Sequence, residues 1–186
     1  PSVAALEKLV TSAKYQARII EILDPIYRAT DQWKKRIAIG EARLALAQDG
    51  GEKVGVLEEI ARLHEQRGAD ARSAFEAWSR AFALEPQDDA VRAEVDRLGA
   101  IVGDWNTLVA AYEAAITAST DPVVTSSLMN AVARIHDEKR GDPRAAIETY
   151  ERLLEHDKED ASPLDALEAL HTMVGDWRGM VGVLER

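Results

Sequence analysis

Catalysis in a chain without cysteine must come from histidine, carboxylate, hydroxyl or lysine groups at workable spacing. His64-Glu65-Gln66-Arg67-Gly68 sets a histidine beside a glutamate. It lacks the second histidine, four residues on, that a helical zinc-protease motif requires. His136-Asp137-Glu138 gathers three residue types able to hold a metal. His156 and His171 stand alone and read as surface residues. Carboxylate pairs such as Glu58-Glu59 and Asp88-Asp89 are ordinary among 33 acidic residues. No segment has the phosphate-cradling glycine pattern, since Gly179 and Gly182 fall inside a helical stretch. Disulfides, thiolate nucleophiles and zinc–thiolate sites are excluded outright. The chain reads as a non-enzyme with no cofactor and no metal.

Charge narrows the binding classes. The formal net charge is -10 and the isoelectric point about 4.9. Such a surface repels nucleic-acid phosphate and anionic lipid. Lys34-Lys35-Arg36 is the only consecutive basic run, too short for a nucleic-acid footprint. No 18-residue apolar run suggests a membrane span, and residues 1–11 do not read as a signal peptide. Nothing fixes a compartment; a cytoplasmic setting is the mild expectation. Arginine outnumbers lysine and alanine is abundant, which suggests a bacterial source with GC-rich coding. Hydrophobic residues reach 46% but aromatics only 5%, a mixture suited to close helix-on-helix packing.

The elements that position any site are set by an internal repeat. Residues 60–113 align without a gap on 132–185, an offset of 72. Identities include Ala61/Ala133, Arg62/Arg134, His64/His136, Asp70/Asp142, Arg72/Arg144, Ala74/Ala146, Glu76/Glu148 and Arg80/Arg152. They resume through Val102-Gly103-Asp104-Trp105 against Val174-Gly175-Asp176-Trp177, and Trp33 joins the same ladder. Gly-Asp pairs at 103, 141 and 175 divide each unit into pieces of 38 and 34 residues, the length of a helix–turn–helix repeat. The period predicts eleven helices, near 1–12, 15–29, 32–48, 53–67, 71–85, 88–101, 104–118, 122–139, 142–156, 162–173 and 176–186.

Their boundaries have physical causes. Asp104 and Asp176 suit N-caps, and the glycine before each suits a left-handed helix end. Asp121-Pro122, Asp142-Pro143 and Ser162-Pro163 place a cap before a first-turn proline, and Ser162 with Asp165 resembles a capping box. Gly50-Gly51 reads as a break between helices. Pro25 falls inside a helix and predicts a kink near Asp24. Ala74, Trp78, Ala81 and Phe82 share one face, as do Ala146, Tyr150, Leu153 and Leu154. The two histidines one long repeat apart, and the three tryptophans at helix starts, read as packing residues rather than ligands.

With these residues the resemblance becomes specific. Residues 141–157, and Ala74, Trp78, Ala81 and Pro86, resemble the second helix of a tetratricopeptide repeat. Ala61 and Ala133 fit the family's small first-helix position, while His64 and His136 replace its usual tyrosine. The resemblance spans essentially the whole chain. It implies an all-α, right-handed α-α superhelix of about five repeats, its concave groove lined by first helices and built for protein partners. The expectation is one solenoid over 1–186, part of a longer array.

The groove hypothesis rests on Arg62, Arg97 and Arg134, equivalent on three successive first helices, with Asn130 one turn before Arg134. A cationic row there would clamp acidic side chains or a chain-terminal carboxylate. The competing reading is local pairing, since Glu58 precedes Arg62 by four residues in the favourable orientation. The row also stops at Pro25 and Ala169. Three functions are thus open: a protein or peptide scaffold, a spacer that self-associates through its terminal faces, and an RNA-binding repeat, which the charge disfavours.

Overall fold

Most helices start where a short acceptor meets free backbone N–H groups. In the computed structural model, which describes residues 3–9 and 15–185, eleven α-helices are present and strands are absent among the described residues. They are α1 (Val3–Leu9), α2 (Gln16–Ala29), α3 (Trp33–Leu46), α4 (Gly50–Gly68), α5 (Ala71–Leu84), α6 (Asp89–Val102), α7 (Trp105–Ala118), α8 (Pro122–Arg134), α9 (Pro143–His156), α10 (Leu164–Val174) and α11 (Trp177–Leu184). Asp49, Asp70, Asp88, Asp104, Asp121, Asp142 and Asp176 each accept a backbone N–H of the first turn. Asp104 also accepts the Thr107 hydroxyl at 2.7 Å, which with the Thr107 N–H holds its carboxyl below the usual range. The expected helix over 1–12 is seen as α1; residues 1–2, 10–14 and 186 lie outside the described set.

Three expectations are corrected. Helix α2 runs unbroken through Pro25. The ring is on the exposed side, as is Glu21 one turn earlier, so water can solvate the carbonyl that proline leaves unpaired. Ile19, Ile20, Leu23 and Tyr27 are buried on both sides of the proline and hold the helix to its neighbours. Ser162 does not cap α10: its own N–H donates to Asp160 at 2.8 Å, and the helix begins after Pro163 without a side-chain cap. Gly50 and Gly51 open α4 instead of separating helices; the break is at residues 47–49, with Asp49 as the cap.

Helices pair antiparallel as α2/α3, α4/α5, α6/α7, α8/α9 and α10/α11, and each packs on its sequence neighbours. The second helices also touch across repeats, α5 lying against α7. A central core runs from α4 to α8 through Leu57, Ile60, Phe75, Trp78, Phe82, Val95, Leu98, Tyr112 and Leu128. Half-buried Ile116 joins it to a second cluster around Ala146, Leu153, Leu154, Leu167 and Leu170. Alanines 61, 74, 81, 133 and 146 are fully buried and bring helix axes close, while Trp78, Phe82 and Tyr150 fill the adjoining space. Gly40 marks another close approach: a Cβ there would lie 2.8 Å from Ile60.

An ionic ladder follows the same period. Arg80 donates both guanidinium nitrogens to Glu41 at 2.7 and 3.0 Å, joining α5 to α3. Seventy-two residues on, Arg152 does the same to Glu113, joining α9 to α7. These partly exposed forks stabilise by no more than ~1 kcal/mol each. The tryptophan ladder is uneven. Trp33 packs on Gly68 and Trp105 on the central core, whereas Trp177 is 60% exposed.

The turns after α4 and α8 solve one problem with different residues. Asp70 N–H reaches back to the His64 carbonyl, and Asp142 N–H to that of His136. Both turns need a left-handed residue: Gly141 has φ 59, whereas Ala69 has φ 49. A side chain in that region costs about 1 kcal/mol. Ala69→Gly is therefore expected to raise stability by roughly 1 kcal/mol, read as a higher urea midpoint with unchanged slope.

Candidate functional site

The residues that suggested chemistry are dispersed by the fold. No group of three histidine or carboxylate residues among those described is placed to hold a metal. His136 is 7% exposed, its Nδ1 2.7 Å from Arg140, and serves packing. His64 is half-buried and His156 exposed. His171 is not the surface residue its isolation suggested. It is 2% exposed, with Nδ1 3.1 Å from the Asp176 carboxylate, because α11 folds back over it.

The arginine row is present in the fold but largely neutralised. Arg62 lies 3.2 Å from Glu58. Arg97 forks onto Glu65 of α4 with two bonds of 2.8 Å and also bonds Glu94, which raises its own pKa and lowers that of Glu65. Arg134 pairs with Glu138 at 3.0 Å. The structure does not gather the three arginines into one clamp. Asn130 is half-buried on the same helix as Arg134.

One arginine of the row does reach a pocket. About 200 Å³ of space lies between α6 and α8, lined by Arg92, Asp96, Tyr112, Ala131, Arg134, Ile135, Glu138 and Lys139. Its floor is Tyr112, 1% exposed, whose ring packs edge-on against Phe82 at 5.2 Å. The Tyr112 hydroxyl donates to Asp96 at 2.6 Å and accepts from Arg92 Nε at 3.1 Å. Burial, reinforced by the Asp96 carboxylate, pushes the phenol well above its ordinary pKa, so it stays a neutral donor. Arg92 Nη1 also donates to the Ser127 hydroxyl of α8 at 3.1 Å, and the guanidinium lies 5.5 Å from the Tyr112 ring centroid. The far wall is irregular: α8 continues as a π-helical turn, Ile135–Lys139, in which Arg140 N–H bonds the Ile135 carbonyl. Such turns insert a residue and re-aim side chains; here they bring Glu138 and Lys139 to the pocket mouth.

Arg92, Tyr112 and Lys139 escaped the sequence reading because it searched for residues the two long units share. For Arg92 and Tyr112 the available signal was divergence; Lys139 stands opposite the equally basic Arg67. Across the offset of 72, Arg92 stands opposite Leu164 and Tyr112 opposite Leu184, polar or aromatic against aliphatic.

The tetratricopeptide-repeat family model matches residues 128–164, covering the end of α8, its π-turn, α9 and the first residue of α10. The chain is an all-α helical-repeat protein, one segment of which matches the tetratricopeptide-repeat family. Solved structures similar to it include two crystal structures of MamA. One is 14% identical over 87% of this chain and 90% of that one, at a TM-score of 0.46. The other is 13% identical over 92% and 90%, also at 0.46. A further structure, MamA MSR-1 C2, is 13% identical over 92% and 94%, at 0.43. No curated protein matches the sequence.

Within the matched segment the buried His136 has a checkable signature. Burial, and then the Arg140 cation, push its pKa below the ordinary 6.5. The folded state therefore resists a proton that the unfolded chain accepts. Stability should fall as pH drops through about 6.5, and the loss should end below the folded value. Urea titrations between pH 7.5 and 5 should show this slope, and His136→Gln should flatten it.

Proposed function

We propose that the chain is a non-enzymatic scaffold, one continuous solenoid that receives a peptide or partner helix in the groove of its first helices. The observation that carries this reading is the pocket between α6 and α8. Its floor is a core tyrosine, so its shape is fixed before any partner arrives. Preorganisation of that kind lowers the ordering cost of association. The tetratricopeptide match supports protein partners, and the net charge of -10 disfavours nucleic acid. No helix among the described residues is long and apolar enough to cross a membrane.

A second reading has its own observation. Trp177, Val181 and Leu184 form an exposed stripe along α11, with Met173 exposed at the end of α10. In the preceding unit the equivalent Trp105, Val109 and Tyr112 pack into the core, against α8 among others. Apolar stripes of this kind favour self-association.

Light scattering separates the two. A constant mass of 20.4 kDa across the concentration range is the result expected of a groove-binding scaffold. A mass that rises with concentration, and falls back on Val181→Lys, would give the assembly reading. For the groove itself, filling the pocket with Ala131→Trp should abolish capture of a partner that the wild-type chain retains. Retention at wild-type strength would place binding elsewhere.

A further inference from the structure

The repeat shows what a closed joint between second helices looks like. Helices α5 and α7 are in direct contact, and across the offset of 72 their equivalents are α9 and α11. Among the described residues α9 and α11 do not touch. The differences between the two units explain the gap. Leu154 and Leu184 stand where Phe82 and Tyr112 make their ring contact, and Leu184 is exposed. Gly179 and Gly182 replace Thr107 and Ala110. At Gly99 a Cβ would lie 2.9 Å from Leu108; its equivalent is His171, whose ring stands against Gly179 and takes the room between α10 and α11. What remains between α9 and α11 is a cleft of about 300 Å³ on the side of the second helices, away from the groove. Fully buried Leu167 is its floor, and Leu154 and Val183 line its sides. Gly182 leaves its mouth open, since a Cβ there would meet nothing within 4 Å. Glu151 and Glu155 stand on the rim, one turn apart on α9, and neither has a cation partner among the described residues. A further space of about 520 Å³ shares Leu154 and Glu155 and runs to the turn after α9.

We propose that this cleft receives a basic amphipathic helix of a protein partner. An aliphatic side chain of that helix enters between α9 and α11, and its neighbouring cations pair with Glu151 and Glu155. The site lies outside the groove of the first helices and does not depend on what the groove binds. Charge and shape select the occupant together. The apolar floor takes an aliphatic side chain, and removing that side chain from water supplies the driving force. Unpaired carboxylates are common in a chain of 33 acids. What sets these two apart is the apolar cleft beside them, because ion pairs at its edge are less exposed to the water that weakens surface pairs. Their spacing of four residues matches cations four apart on a partner helix. The same carboxylates repel an acidic peptide, a nucleic-acid phosphate or an anionic lipid. The width of the cleft is fixed from within. His171 is 2% exposed and its Nδ1 is 3.1 Å from the Asp176 carboxylate, so α11 cannot settle onto α10 as α7 settles onto α6. A Cβ at Gly179 would collide with the same ring. The cleft is therefore shaped before a partner arrives, which lowers the ordering cost of binding.

The test is an NMR titration of the isotope-labelled full chain, following the amides of Gly179, Gly182 and Val183. The probe is Ac-Ala-Lys-Leu-Ala-Ala-Lys-Leu-Ala-Ala-Lys-Leu-Ala-amide, with one version carrying Gln for every Lys and another carrying Ala for every Leu. Saturable shifts at the three amides are expected with the probe. Binding should be about tenfold weaker without the charges, and about tenfold weaker without the leucines. Gly182→Leu, which fills the cleft, should remove the response. Glu151→Gln with Glu155→Gln should weaken binding about tenfold and remove most of its salt dependence. Glu21→Gln, an equal charge change on α2, should leave it unaltered; dispersed amide spectra confirm that each variant folds. Equal binding of the Gln version, wild-type binding by folded Gly182→Leu, or no saturable shift at millimolar probe overturns the proposal. Shifts confined to Ala131 and Lys139 would also overturn it and place the basic helix in the groove. The groove reading stands or falls separately, on Ala131→Trp.

Discussion

Tyr112 joins the two levels of this structure. Its ring belongs to the central core, edge-on to Phe82, and its hydroxyl emerges between α6 and α8 to hold Asp96 and Arg92. A helix pair of this length cannot bury its apolar face alone, so each repeat must lean on the next. That necessity brings α5 against α7 and fixes where the Tyr112 ring sits. Because the ring cannot move without opening a cavity in a close-packed core, the polar groups tied to its hydroxyl inherit its position. The pocket between α6 and α8 takes its shape from the core beneath it.

The electrostatics divide along the same line. On the second helices, two bidentate arginine–glutamate forks 72 residues apart link neighbouring units. On the first helices, Arg62, Arg97 and Arg134 are consumed by neighbouring glutamates. Arg92, which has no counterpart at the offset of 72, is held by the hydroxyls of Tyr112 and Ser127 instead of a carboxylate. The nearby Asp96 takes the other side of the Tyr112 hydroxyl instead of pairing with Arg92 directly.

Most of the fold was legible in the sequence because local signals and repeat period agreed. Aspartate caps, left-handed glycines and 3.6-residue apolar spacing placed nearly every helix boundary within a few residues. The failures came where solvent or tertiary contact decided the outcome. Proline at 25 reads as a break, but its exposed side leaves the freed carbonyl to water. Ser162 reads as a cap, but the Asp157–Asp160 turn takes its N–H. His171 reads as surface, but α11 covers it. For the candidate site, residue identity was legible and pairing was not. Spacing along a helix shows that Glu58 can reach Arg62, while only the packed structure shows that Glu65 reaches Arg97 from another repeat. The π-turn that brings Glu138 and Lys139 to the pocket left no motif at all.

The central claim is that a buried tyrosine pins a groove cation. The most direct measurement is side-chain dynamics of arginine Nε–H groups, by NMR relaxation and solvent exchange, in the wild-type chain and in Tyr112→Phe. The account predicts that Arg92 Nε–H is ordered and slow to exchange in the wild type, unlike the exposed Arg62. In Tyr112→Phe it should become as mobile as Arg62, with helix content preserved. An Arg92 already as mobile as Arg62 in the wild-type chain, or one left unaltered by loss of the hydroxyl, would contradict it.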